Sequence, residues 1–341
     1  MDRSIPQFVP YWSREETDAV TRILVESDYL NEHKTVRSFE ESFARFVGAK
    51  YCMAVPSGTT ALYCAVNALN LQEKGPVSVP SHDGIFAFNA LVAAGGLPEV
   101  CDVNSSGLLD ASRTGDHGDR EGIVVHANGR ISDDISLIED CSQATFHHTR
   151  DMVSTYSFAS TKHMTTGGQG GAVCCDDAGI FDALTRIKDH GRSDRQHLKP
   201  MSDNYDVWGM NFKMTEIQAA FGLVQLRGMD RRMRRLHEMY LLYRDLLSSK
   251  FRFDGDEPRW YVDVFVPDPA RIRQRLARSG IHCRPYPRPL HRQKVAAGHL
   301  GGRTFAMAEK RYRSGLYLPS TTNLSDEDIK QIAVELLDAI D

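Results

Sequence analysis

Apolar positions in the first half of the chain switch between two periods. At 14–27 and 37–47 they recur at helical spacing, with Phe39, Phe43, Phe46 and Val47 on one face. YCMAV (51–55) then predicts a strand, PSGTT (56–60) a glycine-containing turn, and ALYCAVNAL (61–69) a helix. PVSVP (76–80) predicts a second short strand, followed by a helical stretch at 86–94. EVCDV (99–103), GIVVHA (122–127), SLIED (136–140), TYSFA (155–159) and GAVCCD (171–176) continue the strand series. Strands interleaved with helices predict an α/β fold with a mainly parallel sheet covered on both faces. In such sheets a ligand binds outside the carboxyl ends of the strands.

A long helix is expected from MTEIQAAFGLVQL, where Thr215 and Gln218 form a capping-box pattern and Ile217, Ala220, Phe221 and Val224 an apolar stripe. It continues into an arginine-rich stretch with five arginines between 227 and 235. After about residue 250 the pattern restarts, with a strand at 260–266, a helix at 268–279, a Pro-rich segment at 284–289 and a closing helix from 325. At 341 residues the chain is too long for one ordinary core. Two domains are expected: residues 1–240 as a large domain that includes the N-terminal segment, and 241–341 as a smaller C-terminal α/β domain.

Composition narrows the function classes. A net charge of −4 argues against nucleic acid as the main partner, so the arginines are expected on a solvated helix face or a salt-bridged interface. No apolar run approaches the roughly 20 residues of a membrane helix. The opening MDRSIPQFVPYWSREE lacks an apolar signal core, which makes the cytoplasm the default and a mature start near Met1 the expectation. Seven cysteines without a CxxC pair are expected to be reduced core residues, and the histidine spacing points to no metal site.

Four segments set polar or glycine residues just past predicted strands. In PSGTTAL (56–62), Gly58 permits close backbone approach and the following helix offers free N–H groups, an anion site suited to phosphate; a purely structural turn accounts for the same residues. In IEDCSQA (138–144), Asp140 ends a strand and, if buried, needs a cationic partner such as a pyridinium nitrogen; a helix cap is the plain alternative. Gln143 could bond a ring oxygen. In STYSFASTKHMTTGGQGGAVCCDD (154–177), a strand delivers Ser157 and a loop of hydroxyls and glycines carries Lys162. A lysine between strands is ordinarily a solvated surface group, whereas burial would lower its pKa toward nucleophilic range. In YDVWGMNFKMTEIQAA (205–220), Asn211 and Lys213 precede the capped helix.

Together these segments resemble the DegT/DnrJ/StrS type of sugar aminotransferases, of aminotransferase fold type I, nearly end to end. IEDCSQA is similar to the family's E-D-x-x-Q-A motif, SFASTK to S-F-x-x-x-K, and GMNFKMTEIQAA to G-x-N-x-R-M-x-E-x-x-A-A. FEESFARFV with GAKYCMAVPSGTTAL, RPLHRQ (288–293) and LYLPS (316–320) supply further matches in family order. The resemblance implies a pyridoxal 5'-phosphate-dependent transaminase, with pyridoxamine 5'-phosphate as the intermediate cofactor state. It would move an amino group, from glutamate, onto a nucleotide-linked keto sugar, and work as a homodimer with shared active sites. It implies Lys162 as the Schiff-base and proton-shuttling lysine, Asp140 on the pyridine nitrogen and Gln143 on the ring oxygen. Gly58, Thr59 and Ser157 would hold the phosphate, Asn211 the phosphate of the neighbouring subunit's cofactor, and His291 would lie near the sugar, a structural histidine being the equal alternative.

Several positions depart from the family. Lys213 stands where arginine is usual, which removes bidentate pairing. Gly84 stands where an aromatic ring usually stacks on the cofactor, leaving His82, Phe86 or Phe88 as candidate faces. The interval from Cys101 to Asp140 is short, and the glycine loop reads GGQGG. Three other readings compete: a keto-cyclitol or other non-nucleotide keto substrate, a sugar dehydratase in which a histidine takes the lysine slot, and a non-catalytic relative. His163 adjoins Lys162, but the register from Ser157-Phe158 puts Lys162 in that slot.

Overall fold

The structure, a computed structural model, describes residues 4–27, 29–110, 112, 122–134, 136–144, 152–192 and 204–341. In its central strands consecutive side chains enter two different cores. In β1 (Tyr51–Val55), Met53 and Val55 face one core while Cys52 and Ala54 face the other. Strands β2 to β7 are Pro76–Pro80, Leu97–Cys101, Ile123–Val125, Ile138–Asp140, Val153–Ser157 and Gly171–Cys175. β7 splits as β1 does, Val173 and Cys175 against Ala172 and Cys174. A strand buried on both faces must be apolar nearly throughout, which is why these segments are continuous apolar runs.

The sheet order is β1-β7-β6-β5-β4, and a parallel bridge between Ser78 and Gly122 sets the parallel pair β2-β3 beside β4. β7 runs antiparallel to both its neighbours, and the remaining pairings are parallel. This is the mainly parallel α/β sheet expected from the strand-helix alternation. Helices α1 to α7 are Arg14–Glu26, Lys34–Val47, Gly58–Ala68, Ile85–Ala93, Ala178–Lys188, Glu216–Arg227 and Met229–Leu247. One core packs α3 and α4 on the sheet through Leu62, Ala65, Phe88 and Leu91. On the other face Phe39 and Phe43 of α2 meet Tyr156 and Phe158 edge-on, at ring distances of 4.9–5.4 Å.

A third core lies under a small antiparallel sheet of β8 (Asp263–Phe265), β9 (Arg284–Pro285) and β10 (Gly315–Tyr317), in the order β8-β10-β9. Helices α8 (Pro269–Arg278), α9 (Ala306–Ser314) and α10 (Asp326–Ile340) complete the C-terminal part. This core draws on both sides of residue 240, with Leu236, Met239 and Tyr240 as well as Tyr243 and Leu247 of α7, and on Ile5 from the N-terminus. Ile5 is tied there by N–H donation to the Gly280 carbonyl at 2.8 Å.

The helix expected to run unbroken into the arginine-rich stretch instead stops at Arg227, and Gly228 both ends α6 and caps α7. α5 and α9 are helices that the strand series left out. Two helix starts are capped from far away in the sequence. α2 has no side-chain cap of its own; the buried carboxylate of Glu216 accepts the N–H groups of His33, Thr35 and Val36 at 2.8–2.9 Å. The buried Asp102 likewise accepts from Met307 and Ala308 at 3.0 and 2.9 Å, at the start of α9. A carboxylate at a helix N-terminus satisfies orphan donors and matches the positive end of the dipole. The seven cysteines are free and buried. Among the described residues no helix is long and apolar enough to cross a membrane.

Candidate active site

β6 ends at Ser157, and the chain returns to β7 through a loop that carries Lys162. The loop is pinned by Phe158 N–H to the Gly170 carbonyl at 2.8 Å and Ser160 N–H to Gly168 at 2.9 Å. Gly167 and Gly168 have φ of +83° and +150°, which side-chain-bearing residues rarely adopt, so the tight return needs glycine there. Lys162 then faces a cavity of about 360 Å³ at the carboxyl ends of the strands. Gly58, Thr59, Gln143, Ser157 and Lys162 all line this cavity.

The turn after β1 makes the anion end. Ser57 caps α3 by accepting from Thr60 N–H at 3.1 Å. The N–H groups of Gly58 and Thr59 open the helix and have no intrahelical acceptor. Gly58 lies against Ser157: a β-carbon at 58 would stand 2.7 Å from the Ser157 β-carbon. The cradle is thus built on the absence of a side chain at 58.

Asp140 lies at the other end, 2% exposed, accepting from Ser142 N–H at 2.9 Å. Burial raises its pKa, opposed by the Ser142 hydrogen bonds and by the charge of Lys162. A carboxylate in that position is stabilised by any cation brought beside it. Gln143 is also buried, and its amide oxygen accepts from Asn128 N–H at 2.6 Å. That bond orients the amide so that its NH2 group is the part free to donate. Asn128, at φ +55°, also clamps the Tyr261 backbone with both ends of its side chain at 2.8 Å. The large sheet is thereby joined to the cavity's far wall.

Burial lowers the Lys162 pKa to about 8; the charges of Asp140 and Asp83 push it up, and Arg284 pushes it down. The amine sits 3.8 Å from the centre of the Trp260 ring, whose own N–H donates to the Thr161 carbonyl at 2.7 Å. Asp83 lines the cavity at φ +58°. Trp260, Tyr261, Asp83, Arg284, Arg288 and Tyr317 also line it and were not among the expected site residues. The two arginines stand in the Pro-rich segment RPYPRPLH, where a charge on each side of the prolines was the available sign. Trp260 and Tyr317 lie far along the chain from Lys162, with no local sign of the contact.

His163 does not line this cavity; it is turned to an adjoining pocket and is held neutral, its pKa pushed down to about 3 by burial and the Lys162 charge. Of the candidate stacking residues, Phe86 lines the cavity, half exposed. Phe88 is packed in the core, and His82 is buried against Tyr286 at 4.9 Å. His291 lies beside the cavity-lining Leu290 with both ring nitrogens engaged, by the Ser81 hydroxyl and Glu309, each at 2.8 Å. Asn211 is exposed and stands away from its own chain's cavity, bridged to Asp189. Lys213 pairs with the same Asp189 at 2.6 Å through its single ammonium.

A profile of the DegT/DnrJ/EryC1/StrS aminotransferase family matches residues 10–337. The chain is 28% identical to the GDP-perosamine synthase of Escherichia coli O157:H7 over 359 aligned positions, covering 95% of each chain. Its fold matches that of Helicobacter pylori PseC, an aminotransferase of pseudaminic acid biosynthesis, with a TM-score of 0.88 and 20% identity over 99% of each chain. It also matches Spr1654 from Streptococcus pneumoniae, described as a putative sugar aminotransferase in its PMP form, with a TM-score of 0.88 and 16% identity over 98% of each chain. The fold is that of the fold type I aminotransferases, and the chain belongs to the DegT/DnrJ/EryC1/StrS aminotransferase family.

Proposed function

We propose that the chain is a pyridoxal-phosphate-dependent aminotransferase that moves an amino group, from a donor such as glutamate, onto a keto sugar linked to a nucleotide. The observation that carries this reading is a lysine amine of depressed pKa in a cavity with a phosphate-type helix end on one side and a buried carboxylate on the other. The residues fit the cofactor: Gly58, Thr59 and Ser157 would hold its phosphate, Gln143 its ring oxygen, Asp140 its ring nitrogen, and Lys162 would carry it covalently. When bound, pyridoxal phosphate supplies an electrophilic carbon for amines and a ring that accepts the electron pair released at the substrate carbon.

Asp140 would favour a protonated ring nitrogen by offering it a buried counter-charge. Lys162 would hold a proton at Nζ and pass it between two carbons of the reacting groups, a role suited to a group that titrates near the working pH. Trp260, Asp83 and Asp140 stabilise the ammonium form, while burial, the larger influence, and Arg284 stabilise the free amine, so both forms are populated near pH 8. Arg284 and Arg288, at the exposed rim, are suited to the diphosphate of a nucleotide-linked sugar. Asn211 acts from a second copy of the chain: it is exposed, lies off its own cavity, and adjoins the exposed Tyr205, Val207, Trp208 and Met210. His291 positions the sugar side through Ser81, which lines the cavity.

The purified protein is expected to be yellow, and borohydride is expected to fix the chromophore on Lys162, read by peptide mapping. Label on another residue, or no cofactor uptake at all, sinks the assignment. A panel of nucleotide-linked keto sugars with glutamate, read by mass spectrometry for the amine product, then selects the substrate.

A further inference from the structure

A second pocket, of about 270 Å³, opens between the small antiparallel sheet, α9 and the turn that follows β3. Four cations line it, Arg130, Arg252, Lys310 and Arg311, with Asp254 as the one lining carboxylate and Phe265 as an apolar wall. The serine hydroxyls of the lining add neutral donors. Arg130 and Arg311 are buried, yet Arg130 Nη1 and Arg311 Nε have no hydrogen-bond partner among the described residues. Their other nitrogens are committed. Arg130 grips Asp254 through Nε and Nη2 at 3.0–3.2 Å and Asp263 through Nη2 at 2.9 Å. Arg311 donates to the Ser105 carbonyl at 2.5 Å and to the Tyr286 hydroxyl at 3.0 Å.

Asp263 stands behind the pocket, so two carboxylates face four cations, and two positive charges are left unmatched among the described residues. Buried guanidinium donors without acceptors are costly unless an anion supplies them. Planar guanidinium groups with two exposed cations at the mouth match the oxygens of a doubly charged phosphate. The pocket is separate from the cofactor cavity but abuts its wall: Tyr286, bonded to Arg311, stacks at 4.5 Å on Tyr317, which lines that cavity.

We infer that this pocket is a second binding site, for a phosphate monoester dianion or free inorganic phosphate. The test is titration calorimetry of the holoenzyme, its cofactor cavity filled, at constant ionic strength. Inorganic phosphate and glucose 6-phosphate serve as separate probes. Saturable binding of either supports the site, and tighter binding of the sugar phosphate assigns it to an organic monoester. Arg252 and Lys310 are exposed, so Arg252→Gln with Lys310→Gln is expected to fold normally and to weaken binding about tenfold or more. Arg278→Gln, an exposed cation of α8, is expected to leave it unchanged. No saturable binding in the millimolar range, an unchanged affinity in the double variant, or loss of binding in Arg284→Gln instead would overturn the inference.

Discussion

The Lys162 amine is held between opposing influences, and their balance has a measurable consequence. Burial is the largest and lowers its pKa to about 8; the charges of Asp140 and Asp83 act against it. Only the unprotonated amine captures an aldehyde, so capture of pyridoxal phosphate by the apoprotein is expected to rise about tenfold between pH 7 and pH 9, with its midpoint near 8. Removing a negative neighbour destabilises the ammonium, so Asp83→Asn and Asp140→Asn each shift the midpoint below that of the parent protein. Stopped-flow absorbance across pH reads this directly, and a midpoint near the ordinary lysine value would contradict the buried amine. Lys162 was legible in the sequence because hydroxyls and glycines flank it and the Ser157-Phe158 register fixes its place. Asp83 and Trp260 were not, because their meaning depends on folding that brings distant segments to one amine.

Helix boundaries were legible where the cap is local and obscure where it is remote. Ser57, Asp177, Thr215 and Ser325 cap their own helices, and α6 and α10, begun by Thr215 and Ser325, were expected close to where they begin. α5 had the same signs, with Asp177 followed by Ile180, Phe181, Leu184 and Ile187 at helical spacing, but only Asp176 and Asp177 separate it from the apolar run of β7. α2 was expected from 37 and starts at Lys34, because its cap is Glu216, 183 residues along the chain from His33. α9 is polar and capped by Asp102, so neither end nor face advertised it. The Glu216 cap is open to test at this scale. Glu216→Ala strands three buried or part-buried N–H groups and is expected to cost about 3 kcal/mol or more of stability, with Glu216→Gln losing less. Urea denaturation of the two variants measures it; equal stability to the parent would show that α2 does not depend on α6 for its start.

At the scale of the whole molecule, the two large cores lock the sheet while the cofactor cavity is closed on only part of its wall by the chain's own residues. The strand ends, the Lys162 loop and Tyr261 build three sides, yet Asn211 stands outside and exposed. Beside it Tyr205, Val207, Trp208 and Met210 are 45–56% exposed within six residues, a density of apolar surface that a solitary chain in water does not favour. A two-fold partner would cover this segment and receive Asn211 at its own cofactor phosphate, since a two-fold interface uses the same patch twice. The protein is therefore expected to be a dimer by light scattering. Trp208→Glu sets a charge in that apolar cover and is expected to shift the population to monomer and to weaken cofactor binding about tenfold. Asn211→Ala is expected to stay dimeric while loosening the cofactor by about 1–2 kcal/mol, the loss of one hydrogen bond. The pair of variants separates assembly from contact: Trp208→Glu changes mass and affinity together, and Asn211→Ala changes affinity alone. A monomeric parent protein with full cofactor affinity would remove the reason for placing Asn211 in a partner's site.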